Sequence, residues 1–281
     1  MKEIHVSVIE DTVAQLAIDA CCKLPHPVLT EFKNGIHNES SPLESCILQH
    51  LVNNAELAER EMMPLCQDTG LAVIFTEIGQ DVVITGGDFE EAINKGVRKG
   101  YISGYLRKSV VADPLFERKN TGDNTPAIIH TRLVPGDTLM IRFGVKGAGA
   151  ENKSKLKMLI PADGIDGVKR FVLETVMEGG ASACPPLVVG IGIGGDLEIA
   201  AICAKKAALR DIDTHNKNPQ YAALEDELLQ EINKMGLGPL GFGGRMTACK
   251  VNIEFFATHI ASLPVAVNLN CHSARHTEVW L

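Results

Sequence analysis

Apolar and polar residues alternate with a helical period in the stretch 41–61, which predicts an amphipathic helix. Ser41 can cap this helix, Pro42 suits its first position, and Glu44 completes a capping box. The helix is expected to end near Glu61. Its apolar face is formed by Leu43, Ile47, Leu48 and Leu51.

The same patterns predict a series of helices and strands along the rest of the chain. Helical spacing covers residues 4–24, 88–107, 165–178, about 196–210 and 219–235. The inward face of 165–178 is expected to comprise Val168, Phe171, Val172 and Val176. Strands are expected at 70–75, 81–87, 127–133, 138–145, 184–195, 250–260 and 264–271. A Pro135-Gly136-Asp137 turn predicts that the third and fourth strands form a hairpin.

No internal repeat and no linker between domains stands out in the sequence. The expected fold is therefore mixed α/β (α+β), a single compact domain over residues 1–281 with a site built from loops at strand ends.

Composition and charge narrow the possible partners. Aromatic residues make up 5% of the 281 residues and the formal charge is −8, which argues against nucleic acid and anionic membrane surfaces. The first residues lack the apolar core of a signal peptide, and no run of about 18 apolar residues exists to span a membrane. The protein is expected to be cytoplasmic, and its eight cysteines are expected to be mostly free thiols, ligands or catalytic groups.

Three cysteines lie at the ends of predicted strands, where loops gather to form sites. They are Cys66, Cys184 and Cys271. Their wide separation excludes a local zinc or ferredoxin spacing, so structural thiols and metal ligands are equally compatible with the pattern. Three thiolates around an iron–sulfur cube would leave one iron open to act as a Lewis acid, whereas a cluster used for electron transfer would normally have a fourth protein ligand. The other five cysteines lie inside predicted elements and are expected to be small buried hydrophobes: Cys21, Cys22, Cys46, Cys203 and Cys249.

Polar residues close to two of these cysteines could handle a small acidic substrate. Asp68 lies two residues after Cys66 and could move a proton, and Gln67 offers both a donor and an acceptor. Arg275 follows Cys271 by four residues, and Arg107 lies in the segment "YLRKS". The planar guanidinium group of arginine can bind a carboxylate through two parallel hydrogen bonds. Taken separately, such residues are more often surface charges or ion pairs. His259, in a predicted strand, would matter only if the end of that strand lines the site.

Two glycine-rich loops follow predicted strands. "GIGIGG", residues 190–195, matches a dinucleotide-binding pattern, but the downstream "LRDIDTHNKNP" lacks the strand and acidic residue that such a site needs. A nucleotide-dependent oxidoreductase is thus a minor alternative. In "GVKGAGAEN", Gly147 and Gly149 would let backbone N–H groups approach an anionic substrate closely, although a plain flexible turn fits the pattern equally well.

Several motifs together resemble the iron–sulfur-dependent (class I) fumarate hydratase and L-tartrate dehydratase family over about residues 5–281. They are "CQDTG", "NTGDNTPA", "KGAGAENKSKLKML", "SACPPLVVGIGIGG" and "CHSARH". The resemblance implies a [4Fe-4S] cluster with one open iron, bound by Cys66, Cys184 and Cys271. It also implies Asp68 and His259 as catalytic residues, and Gln67 and Arg107 as substrate ligands. Gly147, Gly149 and Arg275 are expected to bind substrate as well.

The resemblance also suggests a subunit arrangement and a substrate. Fused members of the family carry a second domain with a catalytic threonine and further basic residues. This chain stops ten residues after Cys271, so it resembles the α subunit of the two-subunit form and is expected to act in a hetero-oligomer with a β subunit that supplies the remaining catalytic residues. The loop "GAGAENKS" resembles the fumarase type, which favours hydration of fumarate to L-malate, a tricarboxylic acid cycle reaction, over dehydration of L(+)-tartrate. A non-catalytic iron–sulfur scaffold is the remaining alternative.

Overall fold

A computed structural model describes residues 1–39 and 41–281, and these residues fold into helices and mixed sheets. The helices are α1 (Val6–Cys22), α2 (His26–Asn38), α3 (Pro42–Glu61), α4 (Phe89–Ser103), α5 (Ala148–Glu151), α6 (Gly164–Gly179), α7 (Leu197–Ala208) and α8 (Pro219–Lys234). The strands are β1 (Lys2–His5), β2 (Leu71–Gly79), β3 (Val82–Thr85), β4 (Ile128–Val134), β5 (Leu139–Lys146), β6 (Lys155–Leu159), β7 (Leu187–Gly194), β8 (Ala248–Phe256), β9 (Leu263–Asn270) and β10 (His276–Trp280). The mixed α/β class predicted from the sequence is confirmed.

The chain divides into two compact units, each with its own core. Unit 1 comprises residues 1–25, 55–148 and 275–281, and unit 2 comprises residues 26–54 and 149–274. Whether the full length 1–281 behaves as one hydro-lyase domain stays a prediction. Among the described residues, no helix combines the length and the apolar character needed to cross a membrane.

In unit 1, helix α1 packs against a four-stranded sheet and helix α4 packs against α1. The strand order is β10-β5-β2-β4, in which β2 runs parallel to β4 and antiparallel to β5, while β1 and β3 form a separate parallel pair. Helix α4 begins at the Asp88 cap, whose carboxylate accepts the N–H of Glu91 at 2.8 Å. Gly96 and Gly100 allow α1 to approach α4 closely, because a Cβ at either glycine would lie within 2.7 Å of a backbone oxygen of α1. Buried residues of α1, α4 and the sheet belong to one hydrophobic core.

Unit 2 is organised around β7, which is buried along its whole length. Its sheet has the order β6-β9-β7-β8; β7 runs parallel to β8 and antiparallel to β9. Helix α7 packs against β7 and β9, and α8 packs against β8. The four residues predicted to face inward from α6, namely Val168, Phe171, Val172 and Val176, are all buried.

The strands and helices largely fall where the sequence predicts them, with specific exceptions. Helices α1, α3, α4, α6, α7 and α8 match the predicted segments, and α3 ends at Glu61 as expected. The hairpin predicted around Gly136 is wrong: β2 lies between β4 and β5 and pairs with both. The central strand β2 is buried on both faces, so it displaces β4 to the exposed edge. Helices α2 and α5 and strands β1, β6 and β10 are not predicted.

Candidate functional site

The "CQDTG" segment forms an irregular turn in unit 1 that holds the carboxylate of Asp68 on both oxygens. Oδ1 accepts the N–H of Gly70 at 2.9 Å, and the hydroxyl of Ser109 lies 3.4 Å from the same oxygen. Oδ2 accepts the N–H of Ala148 at 3.0 Å. The glycine-rich loop therefore does bind an anion through its backbone, as its composition suggests, but the anion is the protein's own carboxylate. Asp68 is half-buried and held in a fixed direction.

The backbone carbonyls of residues 68 to 70 are each held by a different buried side chain. Arg275 Nη1 donates to the carbonyl of Asp68 at 2.6 Å, and the Tyr101 hydroxyl donates to that of Thr69 at 2.5 Å. Asn124 Nδ2 donates to the carbonyl of Gly70 at 3.1 Å. The turn thus has hydrogen-bond partners even though it belongs to no helix or strand.

Two glycines lie where this turn meets strand β5. Gly70 has φ +56°, and a Cβ there would lie 2.5 Å from the carbonyl oxygen of Lys146. Gly147 is not among the glycines with positive φ, but a Cβ there would lie 3.3 Å from Asp68 Oδ2 and 3.4 Å from Arg275 Nη2. The site tolerates little added volume beside the Asp68 carboxylate.

The predicted substrate ligands in unit 1 differ sharply in exposure. Gln67 and Arg107 have exposed side chains, and the carbonyl of Arg107 accepts the Thr69 hydroxyl at 2.7 Å, so the two segments are joined. Arg275 is only 1% exposed, which does not fit the expected direct contact with substrate. Its guanidinium faces the backbone of Asp68, and Arg275 begins the last chain segment of unit 1.

Two of the three predicted cluster ligands lie together at one end of the unit 2 sheet. Cys184 precedes β7 and Cys271 follows β9, and these strands are antiparallel, so both thiols fall at the same end. The N–H of His272 donates to the carbonyl of Cys184 at 3.0 Å. Cys184 has φ +58° and ψ +67°, a left-handed conformation that costs a non-glycine residue about 1–2 kcal/mol. Such strain is typical of functional positions.

His259 lies at the other end of the same sheet. It is exposed in the loop after β8 rather than in a strand, and its ring Nδ1 accepts the N–H of Ala261 at 3.1 Å. The neighbouring Thr258 hydroxyl donates to the carbonyl of Gly195, beyond the carboxyl end of β7. The eight residues of β7 separate that end from Cys184 by roughly 26 Å. Within unit 2, the structure therefore does not bring His259 to the two thiols.

Cys66, in unit 1, is more exposed than the buried cysteines. It is half-buried; its sulfur accepts the N–H of Asp68 at 3.4 Å, and its thiol donates to Oε1 of Gln67 at 3.4 Å. Cys184 and Cys271 are also at least partly exposed and free of disulfides. By contrast, burial raises the pKa of Cys21 to about 12 and also raises the pKa of Cys249. The thiols predicted as ligands are thus all at least partly exposed, which fits an iron–sulfur donor set.

The remaining thiols follow the expected burial with one correction. Cys22 is buried and Cys203 is half-buried, and burial raises the pKa of both. Cys46 is exposed on α3, contrary to the prediction that it is buried. Within neither unit do three or more described His, Cys, Asp or Glu side chains gather into a group able to hold a metal ion.

The "GIGIGG" loop serves packing in this structure. A Cβ at Gly190 would lie 2.3 Å from the Ala204 carbonyl oxygen, and one at Gly192 would lie 2.0 Å from the Ala200 carbonyl oxygen. These glycines let α7 lie directly on β7. The helix N-terminus is capped by the Asp196 carboxylate, which accepts the N–H of Ile199 at 2.9 Å. A carboxylate at that position opposes the binding of a nucleotide phosphate.

Sequence reasoning does not identify Tyr101 or Asn124, although both contact the "CQDTG" turn. Tyr101 lies on the apolar face of α4, where an aromatic residue is most simply a core residue. Asn124 lies within "NTGDNTPA", a motif with no assigned chemistry. Its φ of +64° suits asparagine, which tolerates the left-handed region.

Comparisons with known proteins cover almost the entire chain. The sequence model of the family described as "Fumarate hydratase (Fumerase)" matches residues 10–280. A protein of Methanocaldococcus jannaschii named "Putative L(+)-tartrate dehydratase subunit alpha" is 40% identical over 272 residues, which cover 95% of each chain. The "L(+)-tartrate dehydratase subunit alpha" of Escherichia coli O157:H7 is 30% identical over 276 residues, which cover 98% of this chain and 91% of the relative. The similarity therefore extends well beyond the short motifs.

Proposed function

Because the chain belongs to the fumarate hydratase (Fumerase) family of hydro-lyases, we propose that it is the α subunit of a [4Fe-4S] enzyme that reversibly hydrates fumarate to L-malate. The observation that carries the proposal is the "CQDTG" turn. There, a carboxylate fixed by backbone donors lies two residues from an accessible thiol. The relatives are named as alpha subunits, which supports the proposal that a β subunit completes the active enzyme.

We propose Cys66, Cys184 and Cys271 as the ligands of the cluster. Their accessibility and the N–H donated to Cys66 support this choice over the buried thiols. When bound, the cluster supplies a Lewis-acidic iron that makes hydroxide a better leaving group. The chain's own residues must then position the dicarboxylate and move the proton on the neighbouring carbon.

Asp68 is proposed to exchange that proton. Hydration and dehydration differ in whether a carbon next to a carboxylate gains or loses a proton, so a positioned carboxyl group can serve both directions. The backbone N–H groups of Gly70 and Ala148 each occupy one lone pair of Asp68, one on each oxygen, which leaves further lone pairs for the substrate proton. Gln67, next in the chain and exposed, is proposed to orient the substrate through its amide.

The substrate carboxylates need cationic partners. Arg107 has an exposed side chain, while its backbone is tied to the "CQDTG" turn through Thr69, so it is proposed as a carboxylate clamp at a fixed distance from Asp68. Gly147 and Gly149 are proposed to admit the substrate close to the loop backbone. The β subunit is proposed to supply further cations. Arg275 is proposed to act through Asp68, because its guanidinium is buried against the Asp68 carbonyl.

The catalytic role of His259 stays a prediction. The loop position of His259 gives it no contact with Cys184 or Cys271 within unit 2. A His259→Asn variant tests the role directly, because it keeps a smaller polar group able to form hydrogen bonds but removes the titratable imidazole. A kcat within twofold of wild type would remove His259 from the mechanism.

L(+)-tartrate is the second candidate substrate, and the names of the relatives favour it. L-malate, in the dehydration direction, and L(+)-tartrate are both four-carbon dicarboxylates that lose a hydroxyl and a neighbouring proton, so the residues proposed above serve either reaction. The choice of fumarate rests on the sequence of the "GAGAENKS" loop. Tartrate carries a second hydroxyl that malate lacks. The residue that binds this hydroxyl therefore determines which of the two substrates the enzyme prefers.

The test is anaerobic co-expression of the full chain with a β-type partner, followed by assays with fumarate, L-malate and L(+)-tartrate. Turnover of fumarate and L-malate supports the proposal, whereas turnover of L(+)-tartrate alone assigns the protein to the second candidate. Full activity of this chain without a partner would refute the two-subunit arrangement. A purified complex that carries the cluster but turns over none of these compounds would favour the iron–sulfur scaffold.

Ligand assignment is tested separately by a matched pair of cysteine variants. Cys184→Ser is expected to abolish both iron content and activity, whereas Cys46→Ser, which alters an exposed thiol on α3, is expected to change neither. Retention of iron and visible absorbance by Cys184→Ser would contradict the ligand assignment.

A further inference from the structure

Three consecutive carbonyls, those of Asp68, Thr69 and Gly70, are held by side chains from three separate parts of unit 1. Tyr101 comes from α4, Asn124 from the segment before β4, and Arg275 from the residues before β10. None of the three donors is more than 1% exposed. The carbonyls belong to an irregular turn, so without these donors they would lack the partners that a strand or helix provides.

We propose that Tyr101 and Asn124 are positioning residues that, together with Arg275, fix the Asp68 turn for proton transfer. This inference rests on the proposed function of Asp68. A catalytic group on a loop must be held within about 0.5 Å of its working position by supporting hydrogen bonds. Burial favours this role, because a donor shielded from water cannot exchange its partner for solvent without a free-energy cost.

Asn124 has a second contact that separates its role from that of Tyr101. Its Oδ1 accepts the N–H of Ser109 at 2.6 Å, while its Nδ2 donates to the carbonyl of Gly70. Ser109 lies two residues after Arg107, so one amide group links the turn that carries the proposed proton carrier to the segment that carries the proposed carboxylate clamp. The Thr69 hydroxyl makes a parallel link to the Arg107 carbonyl. Asn124 therefore fixes the spacing between Asp68 and Arg107.

Tyr101 acts on the turn alone. Its hydroxyl donates to the carbonyl of Thr69 and also lies against the thiol of Cys21, and burial raises its pKa well above the usual range, so the hydroxyl stays protonated as a donor. Removing the hydroxyl leaves the ring in the core. The two residues consequently make different kinetic predictions.

The test uses the anaerobically reconstituted complex with its β subunit and four variants of this chain. Tyr101→Phe is expected to lower kcat about 10- to 100-fold with KM within twofold, because only the proton carrier loses its support. Asn124→Asp keeps the acceptor for Ser109 but loses the donor to Gly70; kcat is expected to fall about 100-fold and KM to rise, because the clamp shifts as well. Matched controls are Tyr221→Phe, in a ring stacked on Phe255, and Asn53→Asp, on the exposed face of α3.

Two further measurements separate positioning from simple loss of folding. The iron content per chain of each variant should match that of the wild type. The kcat of each complex is divided by its cluster content, so that loss of cluster is not mistaken for loss of catalysis. Hydrogen exchange of the full chain should accelerate in peptides covering residues 66–71 and remain unchanged in peptides from β7 and α8. A purely structural role would lower the melting temperature while leaving kcat per cluster within twofold of wild type, and that result would overturn the proposal.

The exchange measurement also keeps the proposal testable if the proposed function fails. If the wild-type complex acts on neither fumarate nor tartrate, the function of Asp68 is wrong, while exchange in residues 66–71 still reports whether Tyr101 and Asn124 hold the turn. If exchange there is unchanged in both variants, the positioning role itself is refuted.

Discussion

Replacing Gly70 by alanine perturbs the site in two separable ways. A residue with φ +56° pays about 1–2 kcal/mol when it carries a Cβ. The new Cβ would also lie 2.5 Å from the carbonyl oxygen of Lys146, where strand pairing between β2 and β5 begins. Because that neighbour is backbone, relieving the overlap requires the strands to move, at an overpacking cost of about 1–3 kcal/mol. The expected total is about 2–5 kcal/mol, a large share of the 5–15 kcal/mol typical of a folded protein.

Gly122→Ala provides the control for the dihedral cost alone. Gly122 has φ +83°, and an added Cβ would meet nothing within 4 Å. The free energy of unfolding of the Gly122→Ala variant should therefore fall by about 1–2 kcal/mol because of the left-handed conformation, with no contribution from steric overlap. The difference between the two variants isolates the contact with strand β5.

The assay is urea unfolding of the full chain under reducing conditions, followed by far-ultraviolet circular dichroism. Gly70→Ala is expected to unfold at a lower urea concentration than Gly122→Ala, with a free-energy difference of about 1–3 kcal/mol at equal m-values. Equal destabilisation of both variants would refute the claim that Gly70 is required for the close approach of the two segments.

Three further predictions concern other contacts. Gly192→Ala should destabilise the chain by about 3 kcal/mol while nucleotide binding stays absent, because the glycine admits α7 rather than a phosphate; unfolding and NAD titration check both. Gly147→Ala should lower kcat about 10-fold or more, because its Cβ crowds the Asp68 carboxylate, whereas Gly149→Ala has open space and should retain stability, so any activity it loses would report substrate contact. Asp123→Asn tests pH dependence: burial raises the pKa of Asp123, but hydrogen bonds led by Arg98 outweigh burial and lower it from 3.8 to about 2. The stability from that pair is present above pH 4 and lost between pH 4 and 2, so the variant should lose about 1 kcal/mol at neutral pH and show a shallower acid-side decline in urea unfolding.

The sequence predicts elements with a strong period and clear ends. Helix α3 has Pro42 at its first position and a regular apolar face, so its ends match the prediction. Helix α2 is missed because only Val28, Phe32 and Gly35 are buried, a narrow stripe interrupted by charged and polar residues. A short strand such as β10 has too few residues for a period to stand out.

Strand neighbours are harder to predict than strands. The turn at Gly136 correctly separates β4 from β5, but local sequence cannot reveal that β2, from far earlier in the chain, pairs between them. The local sequence favours a hairpin of β4 and β5, but burial of β2 in the middle of the sheet is more favourable. That burial depends on the tertiary structure, which a local sequence pattern does not show.

Within the candidate site, the motif residues were predictable and their supports were not. Asp68 and Cys66 stand out because they crowd one short segment. Tyr101 and Asn124 are invisible because their hydrogen bonds go to main-chain atoms, which carry no sequence signature. Arg275 was expected to meet substrate because it lies near a cysteine, yet proximity in sequence does not determine the direction in which a side chain points.

The burial of Cys21, Cys22 and Cys249 makes these thiols less reactive than the exposed thiols of the chain. Peroxide and alkylating reagents attack thiolates that they can reach. The sealed core thiols are spared, so damage should concentrate on Cys46 and on the accessible thiols proposed to grip the cofactor. Oxidative stress would then leave a chain with a folded circular dichroism spectrum but without activity, because its exposed thiols are oxidised while its buried core is unchanged.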